Sequence, residues 1–234
     1  PVITDYVSRH QLVEDGADCF LLHGGAVNSS YLDKLSRADT TVLGADRYSG
    51  FKQIMTELRE AYAPDWIVLD TRSGLSDSAA LATSGLFDLV VAVSTNTAQN
   101  WLGLALIIEH LGKTRVKVGR EQQDCLVVQA LVPAREAEYS AAIAAFQART
   151  QEVFEDSYYV AEGQDEAGKY LTVSDAGGSD APDNSVHIRI SDRLSQYDRL
   201  SFIAEDLARD RDYEAMATRM LERYADNGVD SDGA

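Results

Sequence analysis

The chain has 234 residues, of which 45% are hydrophobic and 25% are charged. These ordinary globular values exclude a wholly disordered chain, a collagen-like repeat and a disulfide-dense miniprotein. Asp and Glu number 38 against 21 Lys and Arg, a formal net charge of −17. Because binding to nucleic acid depends on neutralising phosphates with Lys and Arg, we expect neither nucleic acid nor an anionic membrane as a partner. No apolar run approaches the ~20 residues of a membrane-spanning helix.

The two cysteines and the N-terminus bear on the cellular compartment. Cys19 and Cys125 each lie beside an apolar stretch, and no CxxC or Cys/His cluster is present, which predicts two buried free thiols in a reducing cytoplasm. The chain begins at Pro1, with no initiator Met and no signal peptide. We therefore expect a fragment, a processed form or an engineered piece of a longer protein, and the thiols place it in the cytoplasm.

Continuous apolar runs predict the strands of a parallel sheet that helices cover on both faces. The three main runs are residues 66–69, 89–93 and 125–128. A shorter candidate strand is residues 20–22, and residues 186–190 are typical of a short edge strand.

Apolar residues at helical spacing predict the helices between and after these strands. The predicted helices span residues 46–63, 97–111, 136–154, 197–208 and 211–225. Asp46 is a candidate N-cap and Gly112 a candidate C-cap. The alternation of strands and helices predicts an α/β fold, a mainly parallel sheet flanked by helices with a helical C-terminal segment.

The domain organisation follows from changes in composition along the chain. We expect residues 1–160 to form the core of one α/β domain and residues 186–225 to be its mainly helical C-terminal part. Residues 161–185 are rich in Gly, Asp and Ser, which predicts a poorly packed, flexible acidic insertion, because few apolar groups offset the cost of ordering. Residues 226–234 are expected to be a frayed tail.

The most informative motif is DWIVLDTRSG, residues 65–74. Its apolar run would deliver Asp70 to the carboxyl edge of a parallel sheet, where ligands bind in open α/β folds. In a P-loop NTPase an acid at this position holds Mg²⁺, which bridges the terminal phosphates. Gly74 would bring backbone N–H groups near a γ-phosphate. Arg72 would pair with a phosphate or with a carboxylate of a partner, or it is a solvated loop charge. Asp70 as a polar strand end or helix cap remains the alternative.

Residues 64–111 resemble the Walker B half of the ParA/MinD superfamily of deviant Walker A ATPases. Residues 66–77, WIVLDTRSGLSD, are similar to the DSRTG-S-D variant found in bacterial MinD-like proteins. FDLVV at 87–91 and TNTAQN at 95–100 follow in the order of that family, and residues 21–35, with Gly24, Gly25 and Tyr31, fit it loosely.

The resemblance implies a SIMIBI-like P-loop NTPase fold, binding of ATP and Mg²⁺, and ATP-dependent homodimerisation. It implies that Asp70 is the catalytic and metal-binding residue. Thr71, Arg72, Gly74 and Pro133 then contact the nucleotide. The acidic charge makes a protein the expected regulated partner.

One departure from the family is severe, because its KGGxGKT phosphate loop is absent. The only GKT tripeptide, at residues 112–114, follows a helix, so we expect a C-cap and a basic turn. Gly24 and Gly25 have no nearby lysine and suit a tight turn. The Walker A loop is expected either upstream of Pro1 or lost in a pseudo-ATPase. In both cases the 234 residues alone are expected to hydrolyse negligible ATP.

Two functions therefore stay open at this point. The first is a ParA/MinD-like, Mg-ATP-dependent switch ATPase, active in its full-length form and regulating a protein partner. The alternative is a degenerate, nucleotide-free interaction module with an NTPase fold. The four histidines, His10, His23, His110 and His187, are scattered without ligand spacing, and we expect structural or surface roles for them.

Overall fold

The structure is a computed structural model, and it describes residues 3–12, 16, 18–23, 47–71, 73–118, 123–162, 170–195 and 199–225. The chain forms two compact units, Pro1–Asp70 and Thr71–Ala234, which are described separately. The predicted turn at Gly24, the candidate cap Asp46 and the tail at 226–234 lie outside the described residues.

The first unit contains a hairpin and one long helix. Strand β1 (Val7–His10) pairs antiparallel with β2 (Cys19–Leu22), so that Val7 lies opposite Leu22 and His10 opposite Cys19. Helix α1 (Arg47–Tyr62) follows, and the Tyr62 ring lies 4.6 Å from that of Phe20, centroid to centroid. The strand predicted at 20–22 and the helix predicted at 46–63 are therefore confirmed, although the strand is antiparallel.

The apolar run at residues 66–69 forms no strand. Trp66 and Val68 are 40% and 78% exposed. The prediction of a buried strand here is therefore wrong for this structure. Apolar side chains favour a strand only where a neighbouring strand takes up its backbone N–H and C=O groups, and among the described residues none pairs with this run.

The second unit is built on a parallel sheet with the order β3-β4-β5. These strands are Leu89–Ser94, Asp124–Val132 and Val186–Arg189. Val90 lies opposite Cys125, and Val128 opposite Val186. The parallel strands predicted at 89–93 and 125–128 and the edge strand predicted at 186–190 are confirmed.

Helices cover both faces of this sheet. Helices α3 (Ala98–Val118) and α4 (Glu136–Ser157) pack against each other. With Cys125 and Val127 of β4 they form one core, in which the Trp101 and Phe146 rings meet edge to face at 5.1 Å. Because side chains alternate along a strand, Leu126 and Val128 face the other way. They pack with Tyr213, Met216 and Met220. The coarse α/β architecture predicted from the sequence is therefore confirmed.

The remaining helices are short, apart from the last. The short helices are α2 (Asp77–Ala82), α5 (Asp192–Ser195) and α6 (Ala204–Arg209). Helix α7 (Arg211–Ala225) supplies Met216 and Met220 and confirms the last predicted helix. The helix predicted over 197–208 is replaced by a 3₁₀ turn at Leu200–Phe202 and by α6. Among the described residues, no helix is long and apolar enough to cross a membrane.

Gly112 lies inside α3 rather than at its end, since the helix continues to Val118. A Cβ atom on Gly112 would lie 1.8 Å from the carbonyl oxygen of Ser157 in α4. The predicted C-cap is therefore wrong. The glycine allows two helix backbones to approach closely, which the local sequence does not reveal.

Residues 181–185 are packed into the fold, whereas residues 173–175 and 177–180 are exposed. The Asp183 side chain is fully buried, and Ala181, Pro182 and Ser185 are also buried. The Asp183 carboxylate accepts hydrogen bonds from the Tyr159 hydroxyl and from the Gly177 amide, the latter at 3.1 Å. The prediction of poor packing is thus wrong for residues 181–185, because hydrogen bonds compensate for the burial of polar groups. Residues 163–169 lie outside the described part.

Two arginines of α7 hold this segment from the other side. Arg219 donates to the carbonyl oxygens of Ser179, Ala181 and Asn184. Arg223 donates to the carbonyl of Asp180 and to the carboxylate of Asp124, the first residue of β4. These bonds tie residues 179–184 to the last helix and to the amino edge of the sheet.

Candidate functional site

The carboxyl edge of the parallel sheet begins with the loop after β3. The Thr97 hydroxyl accepts a hydrogen bond from the Asn100 amide at 3.3 Å, which caps the first turn of α3. The Asn100 side chain donates to the Thr95 hydroxyl at 2.6 Å. These contacts fix the loop where α3 begins, with the positive end of the helix dipole at the carboxyl edge.

The end of β4 carries a backbone irregularity. The register of β4 against β5 shifts between Gln129 and Val132. Leu131, within the shift, has φ +57° and is 62% exposed. A leucine in left-handed backbone is uncommon, and such positions concentrate at functional sites. Pro133, the predicted nucleotide contact, follows directly and is half-buried.

A polar pair lies under α4 at the same end of the sheet. Gln129 is buried on β4, and its side-chain oxygen lies 2.9 Å from Nδ1 of His187 on β5. Burial lowers the pKa of His187, partly opposed by the negative charge of Asp212. His187 therefore favours its neutral form.

An arginine and a carboxylate join β5 to α7. Arg189 donates to Asp212 from Nε at 2.9 Å and from Nη2 at 2.6 Å, and its own amide donates to the same carboxylate at 3.0 Å. The Arg189 guanidinium also lies 5.3 Å from the centre of the Tyr139 ring. The hydrogen bond with Arg189 holds the pKa of Asp212 below its usual value. This corner is a structural clamp at the carboxyl edge.

Of the predicted site residues that the structure describes, Asp70 belongs to the first compact unit and Thr71, Gly74 and Pro133 belong to the second. Asp70 is exposed, and makes no hydrogen bond or ion pair with another described residue. Thr71 is half-buried and begins the second compact unit, whereas Asp70 ends the first. Gly74 is exposed with φ +81°, a backbone conformation that suits glycine. Arg72 lies outside the described residues.

Helix α2 ends at the amino edge of the sheet. The Gln123 side chain, which directly precedes β4, donates to the carbonyl oxygens of Ala82 at 2.9 Å and Phe87 at 3.0 Å. At its other end α2 is capped by the Ser76 hydroxyl, which accepts from the Ala79 amide at 3.3 Å. The chain thus leaves α2 beside the start of β3, as the helix of a parallel crossover does.

The GKT tripeptide forms no phosphate-binding loop. Gly112 is packed against α4 within helix α3, and Lys113 forms an ion pair with Glu109 one turn earlier. A phosphate nest needs backbone N–H groups that point to one centre, whereas helical amides bond to their own helix. The GKT tripeptide is therefore not a Walker A loop, as its position after a helix predicted.

The two cysteines differ from each other. Cys125 is buried, and burial raises the pKa of its thiol to about 12, so the thiol stays protonated. Cys19 is exposed on β2, and its predicted burial is wrong. Successive side chains of a strand point to opposite faces. The apolar stretch beside Cys19 does not reveal which face is covered by neighbouring residues.

Sequence reasoning missed the Gln129–His187 pair and the Arg189–Asp212 clamp. The sequence did contain one signal for the first pair: Gln129 and His187 are polar residues that each interrupt an otherwise apolar strand. In the part of the chain that the structure describes, no three His, Cys, Asp or Glu side chains are grouped closely enough to hold a metal ion. The chain matches no protein-family model, and no curated protein or solved structure shows significant similarity to it.

Proposed function

We propose that this chain belongs to a ParA/MinD-like switch ATPase, which binds and hydrolyses Mg-ATP in its full-length form and regulates a protein partner. The observation that carries the proposal is the parallel β3-β4-β5 sheet directly downstream of the WIVLDTRSGLSD motif. An open parallel sheet binds ligands outside the carboxyl ends of its strands.

The direction of α2 supports the role of the motif. Helix α2 ends at the amino edge of the sheet, near Gln123. The chain therefore enters this crossover helix from the carboxyl edge. The residues that enter it, 73–76, follow the predicted metal-binding Asp70 by a few positions. The ATPase proposal requires that these residues and Asp70 meet the phosphates at that edge.

The proposed roles follow from the chemistry of each side chain. Asp70 is a hard oxygen ligand suited to Mg²⁺, and the ion would supply charge stabilisation in phosphoryl transfer. Gly74 offers a backbone amide without a side chain, and Thr71 and Arg72 offer a hydroxyl and a guanidinium for phosphate oxygens. Pro133 would border the base, beside the irregular end of β4.

In this proposal, ATP binding and hydrolysis change the surface that binds a protein partner. Closure of residues 71–77 on ATP and their release on hydrolysis would switch that surface, and ATP-dependent homodimerisation is one form of it. The net charge of −17 favours a protein partner over nucleic acid or an anionic membrane, because such polyanions repel an acidic surface. A cytoplasmic location belongs to the same proposal.

The second candidate is a nucleotide-free interaction module with the same fold. The position of the GKT tripeptide favours it. The tripeptide lies inside α3, where Lys113 forms an ion pair with Glu109. A carboxylate and Mg²⁺ do not replace the missing cradle of backbone amides. The ATPase therefore needs a Walker A loop that these 234 residues do not contain.

ATP hydrolysis by two proteins tests the proposal, this chain and a version extended upstream through a Walker A loop. We expect negligible turnover from the first and Mg²⁺-dependent turnover from the second. In the extended protein Asp70→Ala should lower turnover at least about 100-fold, since metal stabilisation amounts to several kcal/mol. Asp65→Ala, an exposed acid of the same segment, is the matched control and should keep turnover.

Three outcomes decide between the candidates. Robust hydrolysis by the 234-residue chain would contradict the argument from the missing loop. Equal turnover of the Asp70→Ala and Asp65→Ala variants would remove Asp70 from the site. A natural upstream sequence without a Walker A loop would favour the interaction module.

A further inference from the structure

The hairpin of the first unit presents a face rich in metal-ligating side chains. Side chains of directly opposed residues lie on the same face of an antiparallel pair, and every second residue returns to it. Because His10 lies opposite Cys19 and Ser8 opposite Leu21, these four share one face. The His23 amide continues the ladder by donating to the Tyr6 carbonyl at 3.2 Å, which places His23 on the same face.

This face is not the one that packs against α1. The alternate residues Arg9 and Phe20 lie on the opposite face, where Phe20 contacts the ring of Tyr62. His10, His23 and Cys19 are exposed. The histidines are therefore accessible to a dissolved ion.

The imidazoles of His10 and His23 converge on one point. Nε2 of His10 lies 2.7 Å from the Ser8 hydroxyl oxygen, and Nε2 of His23 lies 2.8 Å from the same oxygen. One ring donates a proton to this oxygen while the other accepts the hydroxyl proton, which is the pairing that one hydroxyl and two neutral imidazoles permit. Two ring nitrogens aimed at a common centre are the arrangement that a metal ion needs.

We propose that His10 and His23 form a binding site for a divalent transition-metal ion, with zinc as the probe. Imidazole nitrogen suits Zn²⁺, Ni²⁺ and Cu²⁺, whereas Mg²⁺ and Ca²⁺ select oxygen ligands. Zinc binds nitrogen at about 2.0–2.1 Å, so the rings move slightly inward from their hydrogen-bonded positions. Both then present the Nε2 lone pair, and the Ser8 hydroxyl turns aside.

Water completes the coordination in this proposal. Within the described residues no third His, Cys, Asp or Glu joins the two histidines at ligand distance, so the site is open rather than a closed four-ligand structural centre. An open two-histidine site binds and releases its ion readily. The inference does not depend on the proposed ATPase activity.

Zinc titration of the 234-residue chain by calorimetry tests this site. All proteins carry Cys19→Ser, so that the exposed thiol does not contribute, and the buffer contains excess Mg²⁺ to occupy carboxylates. We expect one zinc equivalent per chain, with the affinity lowered at least about 10-fold by His10→Gln and by His23→Gln, a loss of the size that weakened ligation causes. His110→Gln, an exposed histidine on α3, should leave the affinity unchanged.

Two further readouts separate coordination from a structural effect. Zinc should shift the imidazole NMR signals of His10 and His23 together. Ser8→Ala should retain zinc binding, because the Ser8 hydroxyl is not a ligand of the ion in this proposal. Loss of binding on Ser8→Ala, an affinity unaffected by His23→Gln, or an equal loss on His110→Gln would each overturn the proposal.

Discussion

Residues 181–185 and residues 66–69 are short segments whose burial is opposite to their composition. In the first, Asp183 and Ser185 are buried with Ala181 and Pro182, whereas in the second Val68 is 78% exposed. The polar segment is buried because its groups have partners. The carbonyl of Asp183 accepts from the Gln147 side chain at 2.8 Å, and the Ser185 hydroxyl donates to the same side chain at 2.9 Å.

Satisfied hydrogen bonds, as well as apolar area, therefore decide which segments a fold can bury. An unpaired polar group costs about 1–3 kcal/mol when it is buried, but a paired one adds rigidity and specificity. An apolar run needs a surface to cover it, and no described strand pairs with residues 66–69. Substitutions at Asp183 and Val68 test this comparison directly, and substitutions at Gly112 and Asp212 test other contacts between distant segments.

The largest effect is expected at Asp183. Asp183→Ala leaves the Tyr159 hydroxyl and the Gly177 amide without their acceptor, and should lower the free energy of unfolding by about 3 kcal/mol. Urea denaturation measures it. Asp180→Ala is the matched control in the same segment, since its exposed carboxylate accepts from the Ser179 hydroxyl, and should cost less than about 0.5 kcal/mol. Equal costs would mean that residues 181–185 are not packed as described.

A comparable loss is expected at Gly112, where close packing rather than helix propensity decides. Gly112→Ala places a Cβ 1.8 Å from the Ser157 carbonyl oxygen and should destabilise the chain by about 2–3 kcal/mol. Gly103→Ala in the same helix meets no atom within 4 Å and should stabilise by about 0.5–1 kcal/mol. Thermal melting of both variants distinguishes them, and a stabilised Gly112→Ala protein would contradict the helix contact.

A smaller, pH-dependent effect is expected at Asp212. Because Arg189 lowers its pKa in the folded state, this carboxylate stabilises the fold above its unfolded pKa of about 3.9, and the contribution is lost as the pH falls through the folded pKa. Asp212→Asn should cost about 1 kcal/mol at pH 7, since the pair is partly exposed. The cost should fade toward pH 3 in urea titrations. If Asp212→Asn lowers the free energy of unfolding equally at pH 3 and pH 7, the loss comes from packing and not from the charge of Asp212.

The smallest effect is expected at Val68. Val68→Ser removes an apolar side chain that is 78% exposed and should change the free energy of unfolding by less than about 0.5 kcal/mol. Val127→Ser, at a fully buried position of β4, is the control and should cost more than about 2 kcal/mol. If Val68→Ser costs as much as Val127→Ser, residues 66–69 form the buried strand that their composition predicts.

Local sequence patterns were enough to predict the α/β class, the parallel β3-β4-β5 strands and the long helices. These elements follow from local patterns, continuous apolar runs for covered strands and apolar residues at helical spacing for α1, α3, α4 and α7. The candidate site at Asp70 likewise came from a local motif, and it stays a prediction.

Tertiary structure alone decided the features that depend on residues far apart in the sequence. The Gly112 contact joins residues 112 and 157. The hydrogen bond between Gln147 and Asp183 joins α4 to the segment that precedes β5. The convergence of His10 and His23 requires the register of a hairpin. No local pattern encodes these distances, because each depends on where a second segment packs. Burial of Asp183 and exposure of Val68 therefore follow from the neighbours that the fold provides, whereas composition reports only the preference of each side chain.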